Sequence, residues 1–394
     1  ARHARAGRPS RVERARIRAG AKLTPPARSP SGPPLAGGAC PPRGRAPRGR
    51  SLIPARPCVM AWPPWPWSSE LRDDWVSLPA VKCAHCGEIF AVDQLQYGCQ
   101  LGKLPSALAG RFRPLPRDAD TDAFLRACFC GGFLWRCLQD VAAGFLRRRL
   151  SLTDTNALLG RGGMFVLSTA QARAVLSGGD RVGGEGPDAS DGTTLCGSSS
   201  GPSGGVLLDV GAGDGAVTAR LAPLFDAVLA SEASPPMRSR LADRGFFCLR
   251  GEGLDGVEAA AASAEVSLGP CGTVDCITLL NVLDRCDEPR GLLREVQRRL
   301  RPDTGRLLLA VVLPFRPMVE RGAHRVPPRE RLPLDPNASW EASASRLWSD
   351  VLEPLGFELE VLSRVPYLCA GDSAAALYSL DDALFVLRRG SAKE

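Results

Sequence analysis

Long apolar segments are missing from this sequence of 394 residues. No stretch reaches the roughly 18 apolar residues that a helix needs to span a bilayer, so we expect no transmembrane segment. Met60 is the first methionine, and the Trp- and Pro-rich residues 61–67 after it form no apolar core of signal-peptide length. The sequence alone therefore favours a cytoplasmic protein.

Acidic residues are almost absent from the first part of the chain. Residues 1–57 carry fourteen Lys or Arg and one Glu, a net charge of +13 that leaves −5 for the rest of a chain with net charge +8. This part is rich in Arg, Pro, Gly and Ala and lacks apolar periodicity, so residues 1–59 are expected to be a disordered tail. An Arg-rich arm is compatible with binding to RNA or acidic lipid. The missing initial methionine and the composition favour translated GC-rich leader sequence instead, so no nucleic-acid partner is needed.

A complete set of zinc ligands is also lacking. Fourteen cysteines in a chain of this length do not indicate a disulfide scaffold. Cys83 and Cys86 have metal-like spacing, but a structural zinc site needs a second pair. Cys99 and the pair Cys128 and Cys130 are the near candidates, at irregular spacing. Free thiols are therefore expected, with zinc as the alternative.

A short apolar run that breaks into glycines organises the rest of the chain. Residues 206–215 read Val-Leu-Leu-Asp-Val-Gly-Ala-Gly-Asp-Gly. The run is typical of a buried parallel strand, and the glycines of a tight turn where the backbone approaches a ligand closely. Helix-like spacing of apolar residues follows over residues 216–225. Strand, glycine turn and helix in this order predict a nucleotide-type binding site at the carboxyl end of a strand.

The glycine spacing differs from that of a dinucleotide-binding site. A dinucleotide fingerprint reads G-x-G-x-x-G, whereas here Asp209 precedes a G-x-G-x-G pattern. This pattern resembles the first motif of class I S-adenosylmethionine methyltransferases. Glu232 ends the next predicted strand, 23 residues after Asp209, where an acid that binds ribose hydroxyls is expected. The predicted cofactor-binding residues are Asp209, Gly211, Gly213, Asp214, Gly215 and Glu232, with Glu252 as the adenine-side candidate and Asp255 as its alternative.

Strand and helix patterns alternate after Glu232 and predict a doubly wound α/β sheet, a Rossmann-like methyltransferase domain over residues 206–390. Residues 178–205, rich in Gly, Ser and Asp, are expected to form a linker. Residues 60–177 are expected to form a helical N-terminal lobe, with one helix over residues 122–150 and an N-cap at Ser168. The apolar residues expected on one face of that long helix are Phe124, Leu125, Phe129, Phe133, Leu134, Cys137, Leu138, Val141 and Phe145.

A second polar group follows the fourth predicted strand of this domain. Residues 279–289 read Leu-Leu-Asn-Val-Leu-Asp-Arg-Cys-Asp-Glu-Pro. Residues just past the carboxyl ends of parallel strands face the ligand crevice, so Asn281 and Asp284 are expected beside the methyl acceptor. Asp287 is expected to cap the helix that follows.

Four motifs together resemble the DREV family of methyltransferase-like proteins. They are Asp-Val-Gly-Ala-Gly-Asp-Gly from residue 209, Asn-Val-Leu-Asp-Arg-Cys-Asp-Glu-Pro from residue 281, Leu-Leu-Gly-Arg-Gly-Gly-Met-Phe from residue 158, and Val-Pro-Tyr-Leu-Cys-Ala-Gly-Asp from residue 365. The resemblance covers about residues 122–389. It implies a class I fold, S-adenosylmethionine as cofactor, and methylation of histidine at the pros nitrogen in His-x-His motifs of protein substrates. It also implies the endoplasmic reticulum or the mitochondrion as compartment, and we expect a monomer.

The candidate catalytic residues suit imidazole chemistry. Only neutral imidazole attacks a methyl group, through its unprotonated nitrogen. A carboxylate that accepts the other N–H fixes the tautomer and stabilises the imidazolium as it forms. Asp284 is predicted in this role and Asn281 as the group that orients the ring. The resemblance assigns Tyr367, Tyr378 and Arg161 to the substrate side.

Two other functions are compatible with the motifs. One is a methyltransferase of the same fold that acts on another nitrogen acceptor, such as a small amine. The other is a non-catalytic adaptor that binds S-adenosylmethionine. The presence of Asp209, Gly211, Gly213 and Glu232 together argues against the adaptor. An NAD-linked dehydrogenase is disfavoured by the glycine spacing.

Overall fold

A mixed β-sheet forms the centre of the computed structural model, which describes residues 80–177, 204–250 and 254–390. The strands are β1 (Ala80–Cys83), β2 (Ile89–Ala91), β3 (Met164–Phe165), β4 (Val206–Val210), β5 (Ala227–Glu232), β6 (Phe247–Arg250), β7 (Cys276–Leu280), β8 (Arg306–Val312), β9 (Val319–Arg321), β10 (His324–Val326), β11 (Phe357–Ala370) and β12 (Leu377–Arg389). The helices are α1 (Ser106–Ala109), α2 (Ala119–Cys130), α3 (Phe133–Leu146), α4 (Leu152–Leu159), α5 (Thr169–Leu176), α6 (Thr218–Leu221), α7 (Pro235–Asp243), α8 (Val257–Ser263), α9 (Pro289–Arg299) and α10 (Trp340–Leu347).

The strand order confirms the predicted class I methyltransferase sheet. Neighbouring strands run β6-β5-β4-β7-β8-β12-β11. From β6 to β8 all pairs are parallel, and β12 is antiparallel to both β8 and β11. The order reverses at β4, whose neighbours are β5 and β7. In open α/β sheets the ligand crevice opens at such a switch point, beyond the carboxyl ends of the strands.

Both faces of the sheet are covered, which explains why its central strands are continuously apolar. Successive side chains of a strand point to opposite faces. Leu208 accordingly belongs to a core shared with α8, α9 and α10, while Leu207 belongs to a second core shared with α5. All five residues of β4 are buried. The central strands are therefore rigid supports for the loops at their carboxyl ends.

Residues 80–177, expected to be helical, also contribute strands to the sheet. β1 pairs in parallel with β12, β2 pairs with β1, and β3 pairs with β11. β1 and β3 pair with strands that lie far away in the sequence, as Lys82 with Tyr378 and Phe165 with Leu368, so local patterns do not reveal these pairings. The predicted tail, most of the linker and Glu252 lie outside the described residues.

The single helix expected over residues 122–150 is two helices. α2 ends and α3 begins at Gly131 and Gly132, whose backbones are extended rather than helical. The apolar residues expected on one face have different environments in the two helices. In α2, Leu125 and Cys128 are buried. In α3, the large apolar side chains of Phe133, Leu134, Leu138, Val141 and Phe145 are exposed. Within the described residues, no helix has the length and apolar character needed to cross a membrane.

Predictions for individual helix ends have mixed outcomes. Ser168 caps α5 as predicted, since its side chain accepts the amide of Gln171. The predicted cap by Asp287 is wrong, because Glu288 precedes the first residue of α9 and no side chain caps it. The Asp287 carboxylate instead accepts the amide of Arg329 and pairs with the guanidinium groups of Arg321 and Arg329.

Candidate functional site

The turn after β4 is the first part of the site. Its backbone has left-handed φ angles of 72° at Gly211 and 57° at Gly213, which favour glycine. A Cβ at Gly211 would lie 2.5 Å from a methyl group of Val282, too close for any side chain. The amides of Gly211 and Ala212 donate to the Ser231 carbonyl, at 2.8 and 3.0 Å. This turn therefore brings the glycine backbone to the carboxyl ends of β4 and β5, with Gly211 exposed there.

The Asp209 carboxylate is buried at the end of β4 and binds two hydroxyl groups of the protein. Its Oδ2 accepts from Thr218 and its Oδ1 from Thr278, each at 2.6 Å. Burial raises the pKa of Asp209 to about 6, against the opposing effect of the two threonine hydrogen bonds. These bonds tie β4 to α6 and β7. A direct contact between Asp209 and the cofactor stays a prediction.

Glu232 ends β5 and lies against the glycine turn. Its Oε2 accepts the amide of Gly213 at 2.9 Å, and its Oε1 accepts the amide of Ser234 at 2.7 Å. Burial raises the pKa of Glu232, while the amide hydrogen bonds lower it. Each carboxylate oxygen keeps a further lone pair that can accept a hydroxyl group. The glycine backbone and this buried acceptor fit the amino-acid end and the ribose of S-adenosylmethionine.

Two other predicted cofactor residues have protein contacts of their own. The Asp214 carboxylate accepts the amide of Ala216 at 3.0 Å and pairs with Arg244 at 3.2 Å. Gly215 has a φ of 79°, and a Cβ there would meet a methyl group of Leu241 at 2.8 Å. The absence of a side chain at Gly215 therefore lets the turn pack closely against α7.

Helix α4 of the N-terminal region packs beside this turn. The Ser234 hydroxyl donates to Asp154 of α4 at 2.5 Å, and the guanidinium of Arg240 donates to the Ala157 carbonyl at 2.6 Å. Met164 of β3 follows α4, and its methyl group lies 3.4 Å from the position that a Cβ would take at Gly213. α4 therefore packs on α7 and the residue before it, and Met164 covers the glycine turn at Gly213.

Asn281 and Asp382 form the second part of the site. Asn281 follows β7 with a left-handed φ of 61°, a conformation that asparagine tolerates better than most residues. Its Nδ2 donates to Oδ2 of Asp382 at 2.7 Å, and its amide donates to the Ala310 carbonyl at 2.9 Å. Asp382 lies on β12 and is completely buried. The hydrogen bond therefore joins the end of β7 to β12.

Asp284 lies one turn after Asn281, and its side chain is almost completely buried. Its Oδ2 is 3.1 Å from the guanidinium of Arg285. In this part of the site three buried carbonyl or carboxylate oxygens have no hydrogen-bond partner among the described residues: Oδ1 of Asn281, Oδ1 of Asp284 and Oδ1 of Asp382. A buried acceptor without a partner costs about 1–3 kcal/mol, so such a group is a candidate for binding a ligand. This set is suited to a ligand that donates N–H groups.

The electrostatics of the second part are those of neighbouring buried acids. Burial raises the pKa of Asp284, and the charge of Arg285 opposes this. Burial also raises the pKa of Asp382 well above its ordinary value, with the charge of Asp284 as a further cause, against the Asn281 hydrogen bond. Two close carboxyls in a buried site resist simultaneous ionisation. One carboxylate and one neutral acid are therefore the favoured state.

Tyr367 connects the two parts of the site. It is half-buried on β11, and its hydroxyl donates to the sulfur of Met164, the residue that covers Gly213. Burial raises the pKa of Tyr367 well above 10, and the charges of Cys369, Asp382 and Asp284 add to the shift. The phenol is therefore a neutral donor between the glycine turn and the acids.

Arg161 and Tyr378 belong to a different network. Arg161 pairs with Asp140 of α3 and donates to Asn156 at 3.0 Å. Asp140 also accepts the amide of Ser373 at 2.9 Å. The Tyr378 hydroxyl donates to Asp372 at 2.9 Å, and burial together with this hydrogen bond raises the pKa of Tyr378 to about 12. Among the described residues, no hydrogen bond joins this network to Asp284. Their contact with substrate stays a prediction.

Sequence reasoning missed Asp382 and Met164. A signal for Asp382 was available, because two adjacent Asp residues interrupt the apolar strand over residues 380–387, and a buried acid is rare unless it has a partner. Met164 had no such signal. Cys83 and Cys86, the metal candidates, are free thiols, and in the described ranges no three His, Cys, Asp or Glu side chains are arranged to hold a metal ion.

Comparison with known proteins gives one family and several solved folds. The family model of the DREV methyltransferases matches residues 97–389. A DhpI–SAH complex is 18% identical over 48% of this chain and 79% of its own, with a TM-score of 0.30. Precorrin-6y C5,15-methyltransferase from Geobacter metallireducens is 15% identical over 47% and 80%, with a TM-score of 0.28. A putative type 11 methyltransferase from Sulfolobus solfataricus is 16% identical over 49% and 87%, with a TM-score of 0.30.

Proposed function

The chain belongs to the DREV methyltransferase family, and we propose that its methyl acceptor is the pros nitrogen of histidine in His-x-His motifs of protein substrates. Its general activity, methyl transfer from S-adenosylmethionine, follows from the family. The proposal concerns the acceptor. The observation that carries it is the set of three buried, unpartnered acceptor oxygens on Asn281, Asp284 and Asp382.

The glycine turn and Glu232 would hold the cofactor. When bound, S-adenosylmethionine supplies a methyl group on a positively charged sulfonium. Glu232 would accept the ribose hydroxyls through its remaining lone pairs. Because Gly211 and Gly213 have no side chains, the turn would leave room for the amino-acid end of the cofactor. Positioning of this kind is the main contribution that a protein makes to an in-line displacement.

Asp284 would select the attacking nitrogen of the substrate. Its free Oδ1 accepts the N–H at the tele position of the imidazole, so that the lone pair lies on the pros nitrogen. Asn281 offers a second acceptor oxygen, and its orientation is held by the hydrogen bond to Asp382. Asp382 acts here as a positioning residue.

The charge balance of the transfer also favours a carboxylate at this place. The bond between the pros nitrogen and the methyl carbon forms as the sulfonium–carbon bond breaks, and the positive charge moves onto the ring. Asp284 stabilises that imidazolium, as the Asp of a Ser-His-Asp triad does. Because burial raises the pKa of Asp284, it is also suited to accept the tele proton afterwards.

Replacing Asp284 by Asn tests this role. The amide lacks the negative charge and can present its NH₂ group to the ring, which favours the wrong tautomer. We expect turnover on a His-x-His peptide to fall by a factor of about 10² or more, with cofactor binding nearly intact. Initial rates and calorimetric titration with S-adenosylmethionine measure the two effects.

Asp287 provides a matched control in the same loop. It is an acid three residues away whose carboxylate pairs with Arg321 and Arg329 at the surface. Asp287→Asn should leave turnover within about threefold of the wild type, since the group lies outside the proposed acceptor site. Equal losses in Asp284→Asn and Asp287→Asn would mean that Asp284 acts through loop structure rather than on the imidazole.

A further inference from the structure

Helix α3 is amphipathic, but its polar side faces the protein and its apolar side faces solvent, the reverse of most surface helices. The side that faces the protein carries Arg136, Gln139, Asp140 and Ala143, at spacings of three and four residues. The side that faces solvent carries Leu134, Leu138, Val141 and Phe145, with Phe133 and Trp135 beside them. These six large apolar side chains are 61–78% exposed. A contiguous apolar surface of this kind marks an interaction site on a soluble protein.

The inward orientation of α3 is fixed by specific hydrogen bonds. Gln139 donates to the Leu159 carbonyl at 2.9 Å, and Arg136 donates to the carbonyls of Cys128 and Gly131, at 3.2 and 2.6 Å. Asp140 pairs with Arg161. A rotation of α3 that buried the apolar stripe would break all of these contacts. The exposed stripe is therefore a stable feature of the fold.

Positive charge lies at the end of the stripe. Arg147, Arg148 and Arg149 follow the last residue of α3 directly and are exposed. The Arg148 guanidinium lies over the exposed ring of Phe145, 5.3 Å from its centre. Arginine complements the phosphate groups of anionic lipids, so a cluster of basic residues favours binding to such a surface.

We propose that α3 docks on the surface of an anionic lipid bilayer. A row of Leu, Val and Phe side chains, flanked by an exposed Trp and followed by an Arg cluster, is typical of a helix that lies in the plane of the bilayer interface. The row of Leu134, Leu138, Val141 and Phe145 carries no polar side chain that would fix a protein partner by hydrogen bonds. Its 14 residues are also too few to span the hydrocarbon core, so the helix lies on the membrane.

Docking through α3 would bring the predicted substrate side close to the bilayer. Asp140 on the inner side of α3 binds both Arg161 and the amide of Ser373, next to the Tyr378–Asp372 hydrogen bond. The proteins best placed for modification would then be those with a target segment at the membrane surface.

The test measures insertion of Trp135 into vesicles with the full-length chain. Vesicles contain phosphatidylcholine with or without phosphatidylserine, and a brominated lipid quenches tryptophans that enter the acyl region. We expect quenching only in the anionic vesicles, with the quenched part of the signal missing in Trp135→Phe. This readout is independent of adsorption through the basic residues 1–57 and of methyl transfer.

Two sets of variants test the two halves of the surface. Leu134→Glu with Leu138→Glu, and Arg147→Gln with Arg148→Gln and Arg149→Gln, should each weaken binding to anionic vesicles by about tenfold or more. Ile89→Glu is the matched control, because Ile89 is 68% exposed on β2, outside α3, and its replacement should change nothing. The changes lie at the surface, so the variants should fold normally and methylate a soluble peptide at the wild-type rate.

Three results would overturn the proposal. The first is the absence of Trp135-dependent quenching in anionic vesicles. The second is equal insertion into neutral vesicles that the Arg variant does not weaken. The third is a concentration-dependent increase in mass in solution that Leu134→Glu with Leu138→Glu abolishes, which would make the face an interface between two copies of the chain.

Discussion

Asp382 differs from Asp284 in what its side chain already binds. Asp382 is completely buried, and one of its oxygens accepts from Asn281 at 2.7 Å. Asp284 has Arg285 beside it, at 3.1 Å, which stabilises its negative charge. Burial and the charge of Asp284 together raise the pKa of Asp382. Asp382 is therefore the neutral acid of the pair, and Asp284 the carboxylate.

This assignment predicts opposite sensitivities to the same substitution. A carboxamide resembles a neutral carboxyl group, so Asp382→Asn should keep turnover within about fivefold of the wild type, whereas Asp284→Asn loses about 10²-fold. Asp382→Ala removes the acceptor of Asn281, and turnover should fall about tenfold or more with KM for the peptide raised. Steady-state rates on one peptide, with folding checked by circular dichroism, give all three values. A loss in Asp382→Asn as large as in Asp284→Asn would contradict the neutral state of Asp382.

Strand β4 contains a buried acid, Asp209, whose negative charge lowers the stability of the fold. Burial raises the pKa of Asp209 to about 6 from an ordinary 3.8, and the charge of Glu232 adds slightly. The folded state thus binds the proton more tightly than the unfolded state, so the stability contribution of Asp209 falls as pH rises from about 4 to 6. Above pH 6 the full cost of the buried charge is present.

Asp209→Asn should remove this pH dependence. The amide can still bond the hydroxyls of Thr218 and Thr278. The free energy of unfolding of the variant minus that of the wild type should increase from pH 4 to pH 7 by on the order of 2–3 kcal/mol. The variant thus gains stability relative to the wild type as the pH rises. Urea unfolding without cofactor at the two pH values measures it, with Asp243→Asn, an exposed acid at the end of α7, as control. A difference that is flat with pH, or that favours the wild type at pH 7, contradicts the raised pKa.

Local sequence patterns predicted the helices and strands whose apolar residues face the protein core. The run that ends at Asp209 became a central strand, and Pro235 and Pro236 begin α7 as expected. The apolar periodicity of α3 predicted a helix, but it did not predict which side of that helix faces the protein. Period shows that one side of a helix is apolar, while the neighbours of the helix decide which side is buried. Here Gln139 and Asp140 bind residues 20 and 233 positions away in the chain.

The same distinction applies to the candidate site. Gly211, Gly213, Asn281 and Asp284 stand in short motifs that follow strands, and parallel strands bring such motifs together. The hydrogen bond between Asn281 and Asp382 joins residues 101 positions apart. Asp382 lies on β12, an antiparallel strand that inserts between β8 and β11. No local pattern specifies that insertion. The partner that holds Asn281 therefore appeared only with the structure.

At the scale of the whole molecule, the site is assembled from both ends of the described chain. The carboxyl ends of β4, β5 and β7, with the loops after them, supply the glycine turn, Glu232 and Asp284, Met164 of β3 covers the turn, and β11 and β12 supply Tyr367 and Asp382. The N-terminal region is joined to the sheet through β1 and β3. The glycine turn and the group of Asn281, Asp284 and Asp382 are thus built from segments that are far apart in the sequence.

The position of the transferred methyl group tests this account most directly. The wild-type enzyme is incubated with S-adenosylmethionine and a His-x-His peptide, and the product is assigned by NMR, with a peptide in which Lys replaces the target His as control. We expect methylation of the pros nitrogen and no transfer to Lys, because Asp284 holds the tele N–H and leaves the pros lone pair free. Mainly tele-methylated product, or comparable transfer to Lys, would contradict the proposed acceptor site.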